Sequence, residues 1–106
     1  MNPSTLPAEL LDSVVAYFHP RRIILFGSQA RGDANPDSDI ELVVILDDAA
    51  PPEKTTLKAG YESRRGYHRS ADVIPVREST YARKAKVAGT LAYEVAQDGV
   101  VVYERG

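Results

Sequence analysis

Two short apolar runs, and what stands where they meet, restrict this chain more than anything else in its sequence. Ile23-Ile24-Leu25-Phe26 is a continuous apolar run closed by Gly27, the pattern of a strand buried on both faces. Asp39 to Leu46 is a second strand. It opens with alternation, Asp39 and Glu41 on one side and Ile40 and Leu42 on the other, because successive side chains of a strand point to opposite faces. Beyond Leu42 both sides are apolar, so this strand runs from an exposed mouth into a core. The stretch between the strands, Gly32 to Ser38, carries Gly, Asp, Asn and Pro, which is loop chemistry.

The rest of the chain supplies cover for these strands. Leu6, Leu10, Leu11, Val14, Val15 and Phe18 recur at helical spacing, so Leu6 to Phe18 reads as an amphipathic helix, with Thr5 as its cap and His19-Pro20 as its end. Thr55 to Arg65 is helical, with Leu57 and Tyr61 four apart and Gly66 as terminator. Asp72 to Val76 is a third strand, with Pro75 favouring an edge. Ser79 to Lys86 is weakly helical, Thr90 to Gln97 is a short helix with Leu91 and Val95 toward the core, and Val100 to Tyr103 is a β-branched final strand. The expected fold is α/β (α+β): a mixed sheet of about four strands with helices packed mainly on one face.

Composition narrows the function classes. At 106 residues the chain is expected to be one domain, spanning 1–106. It has no cysteine, which excludes a disulfide scaffold, a zinc–cysteine site and thiol catalysis, and suits the cytoplasm. No apolar run is long enough to cross a membrane, and the N-terminus has neither the basic nor the apolar region of a secretory signal. A net charge of −2 disfavours binding to duplex DNA.

The chemistry concentrates at the mouth of the second strand. A strand that ends at Gly27 and turns at Ser28 exposes backbone N–H groups beside a serine hydroxyl, which together form an anion cradle. Gly27 lets a phosphate approach the backbone closely, and Arg31, one helical turn on, can add a positive charge. Asp39 and Glu41 share a face, and like charges at that spacing repel unless a cation lies between them. Oxygen ligands so arranged suit Mg²⁺, which takes few carboxylates and completes its shell with water and phosphate. Each feature has a plainer alternative: a strand-ending turn at Gly27-Ser28, a solvated acidic strand face, a surface pairing of Arg31 with Asp33 or Asp37. The cluster Arg64, Arg65, His68 and Arg69 reads first as a solvated helix end.

Taken together, Gly27-Ser28, ten residues, then Asp39-x-Glu41 resembles the signature of the minimal nucleotidyltransferases of the DNA polymerase β-like superfamily. The surrounding FGSQARGDANPDSDIEL is similar to that family's usual wording, Asp72 falls where its third carboxylate falls, and the ending from Gly89 to Glu104 resembles stand-alone members partnered with HEPN-domain proteins. The resemblance implies the nucleotidyltransferase fold. It implies Gly27, Ser28 and Arg31 on the phosphates of a nucleoside triphosphate, and Asp39, Glu41 and Asp72 as catalytic ligands of two Mg²⁺ ions. It also implies transfer of a nucleotide, AMP from ATP, to a hydroxyl of a HEPN toxin for which this chain is the antitoxin. One position departs from the pattern. Glu41 stands where the family has aspartate and carries its oxygens about one methylene further out, and a misplacement near 1 Å can cost on the order of a hundredfold in rate. A second reading therefore stands beside the enzyme: a nucleotide- or partner-binding module that neutralises its partner by complex formation. Transfer to a small molecule fits less well, because such enzymes carry a further helical domain.

Overall fold

The computed structural model describes residues 6–27, 30, 32 and 39–105. Its strands are β1 (Arg22–Phe26), β2 (Ile40–Leu46), β3 (Ala71–Arg77) and β4 (Val100–Glu104), and its helices are α1 (Ala8–Phe18), α2 (Leu57–Ser63), α3 (Glu78–Lys84) and α4 (Leu91–Asp98), with a 3₁₀ turn at Pro52–Thr55. The strands form one sheet in the order β3-β2-β1-β4. β1 is antiparallel to β2 and to β4, while β2 and β3 are parallel. This is the mixed four-stranded sheet expected from the sequence.

Strand periodicity divides the apolar side chains between two layers. Ile40, Leu42, Val44 and Leu46 of β2 join Ile23 and Leu25 of β1 and Val73 of β3 beneath Leu10, Val14 and Phe18 of α1 and Ala59 of α2. That is the larger core, so the weight of the helices does lie on one face. The opposite face carries a smaller cluster of Ile24, Val43 and Ile45 under Val95 of α4, flanked by Phe26, Val76 and Tyr81. β2 is buried on both faces at every position but Glu41, which makes it the axis of the fold.

Some local expectations are met and others corrected. α1 is capped by Pro7 with no side-chain hydrogen bond, and Thr5 lies outside the described residues. His19, ahead of a proline, ends α1 as expected; it leaves the helical region for the left-handed conformation (φ 47°, ψ 54°), which brings its N–H onto the Val15 carbonyl at 2.8 Å and turns the chain so that Pro20 is fully buried. Histidine is among the residues that tolerate this region. The Leu57/Tyr61 pair lies on a helix as expected and faces outward, 73% and 64% exposed, whereas Leu91, expected toward the core, is 45% exposed.

α2 packs instead through its small residues Ala59, Gly60 and Ser63. At Gly60 a Cβ would fall on the Val73 carbonyl oxygen, so the helix backbone lies directly on edge strand β3. This covers outward-facing backbone that an edge would otherwise offer to another chain. Pro75 belongs to the same edge strand, where a missing N–H is tolerated. The Ser13 hydroxyl donates to the Ser63 carbonyl at 2.5 Å and ties α1 to α2.

Polar clamps finish the far rim. The Arg105 guanidinium forks onto Asp47 at 2.9 and 3.1 Å and also donates to the His19 carbonyl, and Arg21 reaches Asp47 at 3.1 Å. Arg22 pairs with both oxygens of Glu78, and Asp48 accepts the Ser79 N–H at the start of α3. The Arg105 and Arg21 guanidinium groups hold the Asp47 carboxyl below its ordinary value. A depressed carboxyl contributes stability that is present above its unfolded pKa and lost as pH falls through the folded one. Asp47→Asn is accordingly expected to melt lower than the wild type at pH 7, with the gap closing below about pH 4, as thermal unfolding at several pH values will show. Gly60→Ala is expected to destabilise the chain by at least about 1 kcal/mol in urea unfolding. Alanine is the better helix former by about 1 kcal/mol, but overpacking against the Val73 carbonyl outweighs it.

Candidate functional site

The topology brings three chain segments to one rim of the sheet. Because β1 runs antiparallel to β2 and β3 runs parallel to it, the end of β1 and the beginnings of β2 and β3 coincide. Pairing sets Phe26 opposite Glu41 and Glu41 opposite Asp72. Residues paired across strands share a face, so these three form a row, with neighbouring backbones about 4.8 Å apart. The row lies on the face that continues into Val43 and Ile45, as expected from the apolar second half of β2. Asp39 stands immediately before β2, two residues from Glu41, and is exposed at the mouth; Asp72 is exposed and Glu41 half-buried.

Gly27 follows directly on β1. Its φ of 79° belongs to the region that glycine enters without cost, and the Ala30 N–H donates to its carbonyl at 3.1 Å, closing the turn. A Cβ at Gly27 would collide with the Glu41 carboxylate. The close approach that glycine permits here is thus made by an acidic side chain of the neighbouring strand. The extra methylene of Glu41 has a visible destination: it carries the carboxylate back over the end of β1. Ser28 and Arg31, the other two residues expected to hold phosphate, lie outside the described residues.

The donor set suits a hard divalent cation. Glu41 and Asp72 are side by side on adjacent strands with Asp39 at the entry, all offer carboxylate oxygens, and Mg²⁺ is characteristically bound by one or two carboxylates together with water and phosphate oxygens. Among the described residues no group of three or more His, Cys, Asp or Glu side chains is drawn together closely enough to hold a metal alone.

The basic cluster follows the end of α2, with Arg64 half-buried and Arg65, His68 and Arg69 exposed. Arg64 donates to the Arg69 carbonyl at 2.6 Å and lies over the Tyr61 ring, 5.6 Å from its centroid, while Arg65 pairs with Glu62 at 3.2 Å. A cavity of about 320 Å³ opens between this helix and the sheet edge, with Leu57, Tyr61, Arg64 and Asp72 in its walls. Phe26 is the site neighbour that residue chemistry did not single out. Its signal was positional, since it immediately precedes Gly27, but only the β1–β2 register shows that it flanks Glu41.

Among the described residues no helix is long and apolar enough to cross a membrane. No curated protein is similar enough in sequence to count as a match. Solved structures that share the fold include these two. One is a toxin–antitoxin complex with AMP-PNP: 16% identity, TM-score 0.61, covering 99% of this chain and 75% of that one. The other is a protein from Sulfolobus solfataricus with a provisional nucleotidyltransferase assignment: 23% identity, TM-score 0.59, covering 92% of this chain and 76% of that one. The family model "Polymerase beta, Nucleotidyltransferase" matches residues 9–106, and the chain, whose Gly27 turn and acidic strand mouths share one rim, belongs to that nucleotidyltransferase family.

Proposed function

We propose that this chain transfers a nucleotide, AMP from ATP, to a hydroxyl group of a partner protein, and that it acts as the antitoxin of a HEPN-type toxin. The observation that carries the catalytic half is the row at the sheet rim: Glu41 beside Asp72, with the Glu41 carboxylate lying over Gly27. Membership of the family and the mixed sheet support transferase chemistry. The fold shared with a toxin–antitoxin complex containing AMP-PNP supports a protein partner and an adenine nucleotide, as does the resemblance of the segment from Gly89 to Glu104 to HEPN-partnered chains. A cytoplasmic setting, where ATP is plentiful, fits a chain without cysteine.

In this mechanism the turn at Gly27 and Ser28 binds the β- and γ-phosphates, and Arg31 adds a charge to the same polyanion. Asp39, Glu41 and Asp72 would hold the two Mg²⁺ ions, which when bound lower the pKa of the attacking hydroxyl and offset charge on the leaving group. Asp72, at the sheet edge and exposed, accepts the proton of the acceptor hydroxyl. The hydroxyl oxygen forms a bond to the α-phosphorus as the bond from that phosphorus to the β-phosphate oxygen breaks, and pyrophosphate leaves.

The second reading, a module that binds without turnover, rests on one position: Glu41 stands where the resembled family has aspartate.

One measurement tests the carboxylate assignment and a second separates the two readings. In calorimetry Mg²⁺ is expected to raise ATP affinity several-fold, a coupling of about 1 kcal/mol or more; equal affinity with and without the metal sinks the carboxylate assignment. In transfer of labelled nucleotide to the co-encoded partner, Glu41→Asp is expected to preserve or raise the rate. Glu41→Gln and Asp39→Asn are each expected to lower it at least about a hundredfold, roughly 3 kcal/mol of transition-state stabilisation. Full activity in both amide variants removes these carboxylates from the mechanism. An inactive wild type alongside an active Glu41→Asp variant establishes the binding module.

A further inference from the structure

α2 buries its small residues and leaves a stripe of larger ones outside the core. Leu57, Tyr61 and Arg64 follow one another at helical spacing and form one wall of a cavity of about 320 Å³; the other wall is a continuous stretch of β3 that includes Asp72. Successive residues of a strand point to opposite faces, so a cavity lined by such a stretch wraps the open edge of the strand. It joins the side on which α2 packs to the side on which Asp72 stands beside Glu41. A cavity of this volume is hardly wider than a tyrosine side chain is long. One change of rotamer therefore carries the Tyr61 hydroxyl into reach of the Asp72 carboxylate.

Tyr61 also differs from the other tyrosines of the chain. There are six; Tyr17, Tyr67, Tyr81, Tyr93 and Tyr103 are all half-buried, whereas Tyr61 is 64% exposed. Its hydroxyl has no hydrogen-bond partner among the described residues. Its backbone, by contrast, is fixed. Gly60 beside it lies against the Val73 carbonyl, and the Ser63 carbonyl accepts the Ser13 hydroxyl. Arg64 lies over the Tyr61 ring, 5.6 Å from its centroid, and is itself held by the Arg69 carbonyl. A free hydroxyl on a fixed helix needs no bimolecular encounter to meet the reacting atoms, and that encounter is a large entropic part of such a barrier. The Arg64 guanidinium, whose Nε has no hydrogen-bond partner, places a positive charge beside any phosphodiester formed on Tyr61.

We infer that Tyr61 is an acceptor for the chain's own nucleotide transfer, so that without a partner in place the chain adenylylates itself there. This rests on the proposed transfer of AMP from ATP and adds a second acceptor to it. The tyrosyl oxygen forms a bond to the α-phosphorus, the bond from that phosphorus to the β-phosphate oxygen breaks, pyrophosphate leaves, and the phenolic proton passes to water. The product is a phosphodiester of Tyr61 and AMP seated beside Asp72, where the partner's hydroxyl is proposed to enter. Self-transfer and transfer to the partner therefore exclude each other in one molecule.

The test incubates the full chain with Mg²⁺ and ATP labelled at its α-phosphate, with and without the co-encoded partner. Without the partner, label is expected on the chain itself, peptide mapping is expected to place it on Tyr61, and Tyr61→Phe, a change at an exposed side chain, is expected to lose it. The labelled fraction is expected to grow at the same rate at every protein concentration, because the reaction is within one molecule. A readout independent of turnover uses Mn²⁺ with α,β-methylene-ATP, whose bond from the α-phosphorus to carbon does not break: the Tyr61 ring resonances are expected to broaden. Label on Ser70 or another tyrosine, undiminished label in Tyr61→Phe, a rate that rises with protein concentration, or Tyr61 resonances untouched by Mn²⁺ each overturns the inference. Label on the partner and none on the chain overturns it while sparing the proposed transfer. Label on neither overturns both.

Discussion

Everything at the rim depends on the register of β2. This strand pairs with β1 on one side and β3 on the other, and six of its seven residues are buried. A slip of one residue would send every side chain to the opposite face. Glu41 would then lie beneath α1, where an unpaired carboxylate costs several kcal/mol, and Leu42 would surface. The apolar residues of both faces therefore enforce the one register in which the acid of β2 meets the acid of β3. The site is a consequence of the core, and its geometry is only as adjustable as the core allows.

The direction of each strand does the remaining positioning. An antiparallel neighbour on one side and a parallel one on the other are what bring a strand end and two strand beginnings to a single rim. The parallel pair needs a crossover, and the segment between β2 and β3 provides it with α2. That crossover leaves β3 as an edge. α2 closes over it only because Gly60 has no side chain at the Val73 carbonyl. The same helix thereby keeps its larger side chains, Leu57 and Tyr61, free to form one wall of the opening beside Asp72.

Much of this was legible beforehand, for reasons that also explain what was not. β1 and β2 were legible because unbroken apolar runs closed by glycine or opened by alternating acids leave little else for the backbone to do. Periodicity even indicated that the face of Asp39 and Glu41 becomes buried, which Val43 and Ile45 satisfy. The spacing of Leu57, Tyr61 and Leu91 reported a helical stripe but not which side of the sheet, or solvent, it faces. Helices that approach a backbone closely do so through small residues, and hydrophobic spacing is blind to Ala59, Gly60 and Ser63. The partnership of Asp72 with Glu41 is a matter of register between strands separated by a helix, and no local pattern encodes it. The end of α1 at His19 was legible from Pro20, but its left-handed turn was not, because that conformation is set by closure onto Val15 and burial of Pro20.

Gly27 and Glu41 are best understood as one unit. At φ 79° a residue other than glycine is strained, and that alone would justify glycine at the end of β1. The structure adds an independent reason, since the space a Cβ would take is filled by the Glu41 carboxylate. An aspartate at that position, one methylene shorter, would hold its oxygens nearer to β2 and leave the Gly27 backbone open. The longer side chain draws the negative charge toward the turn. On the proposed function, a cation would have to offset that charge before phosphate approached, so Glu41 would tie phosphate binding at the turn to metal binding at the strand mouth. Residues 27 and 41, on neighbouring strands, pack as one unit, and the effect of changing either depends on which side chain occupies the other.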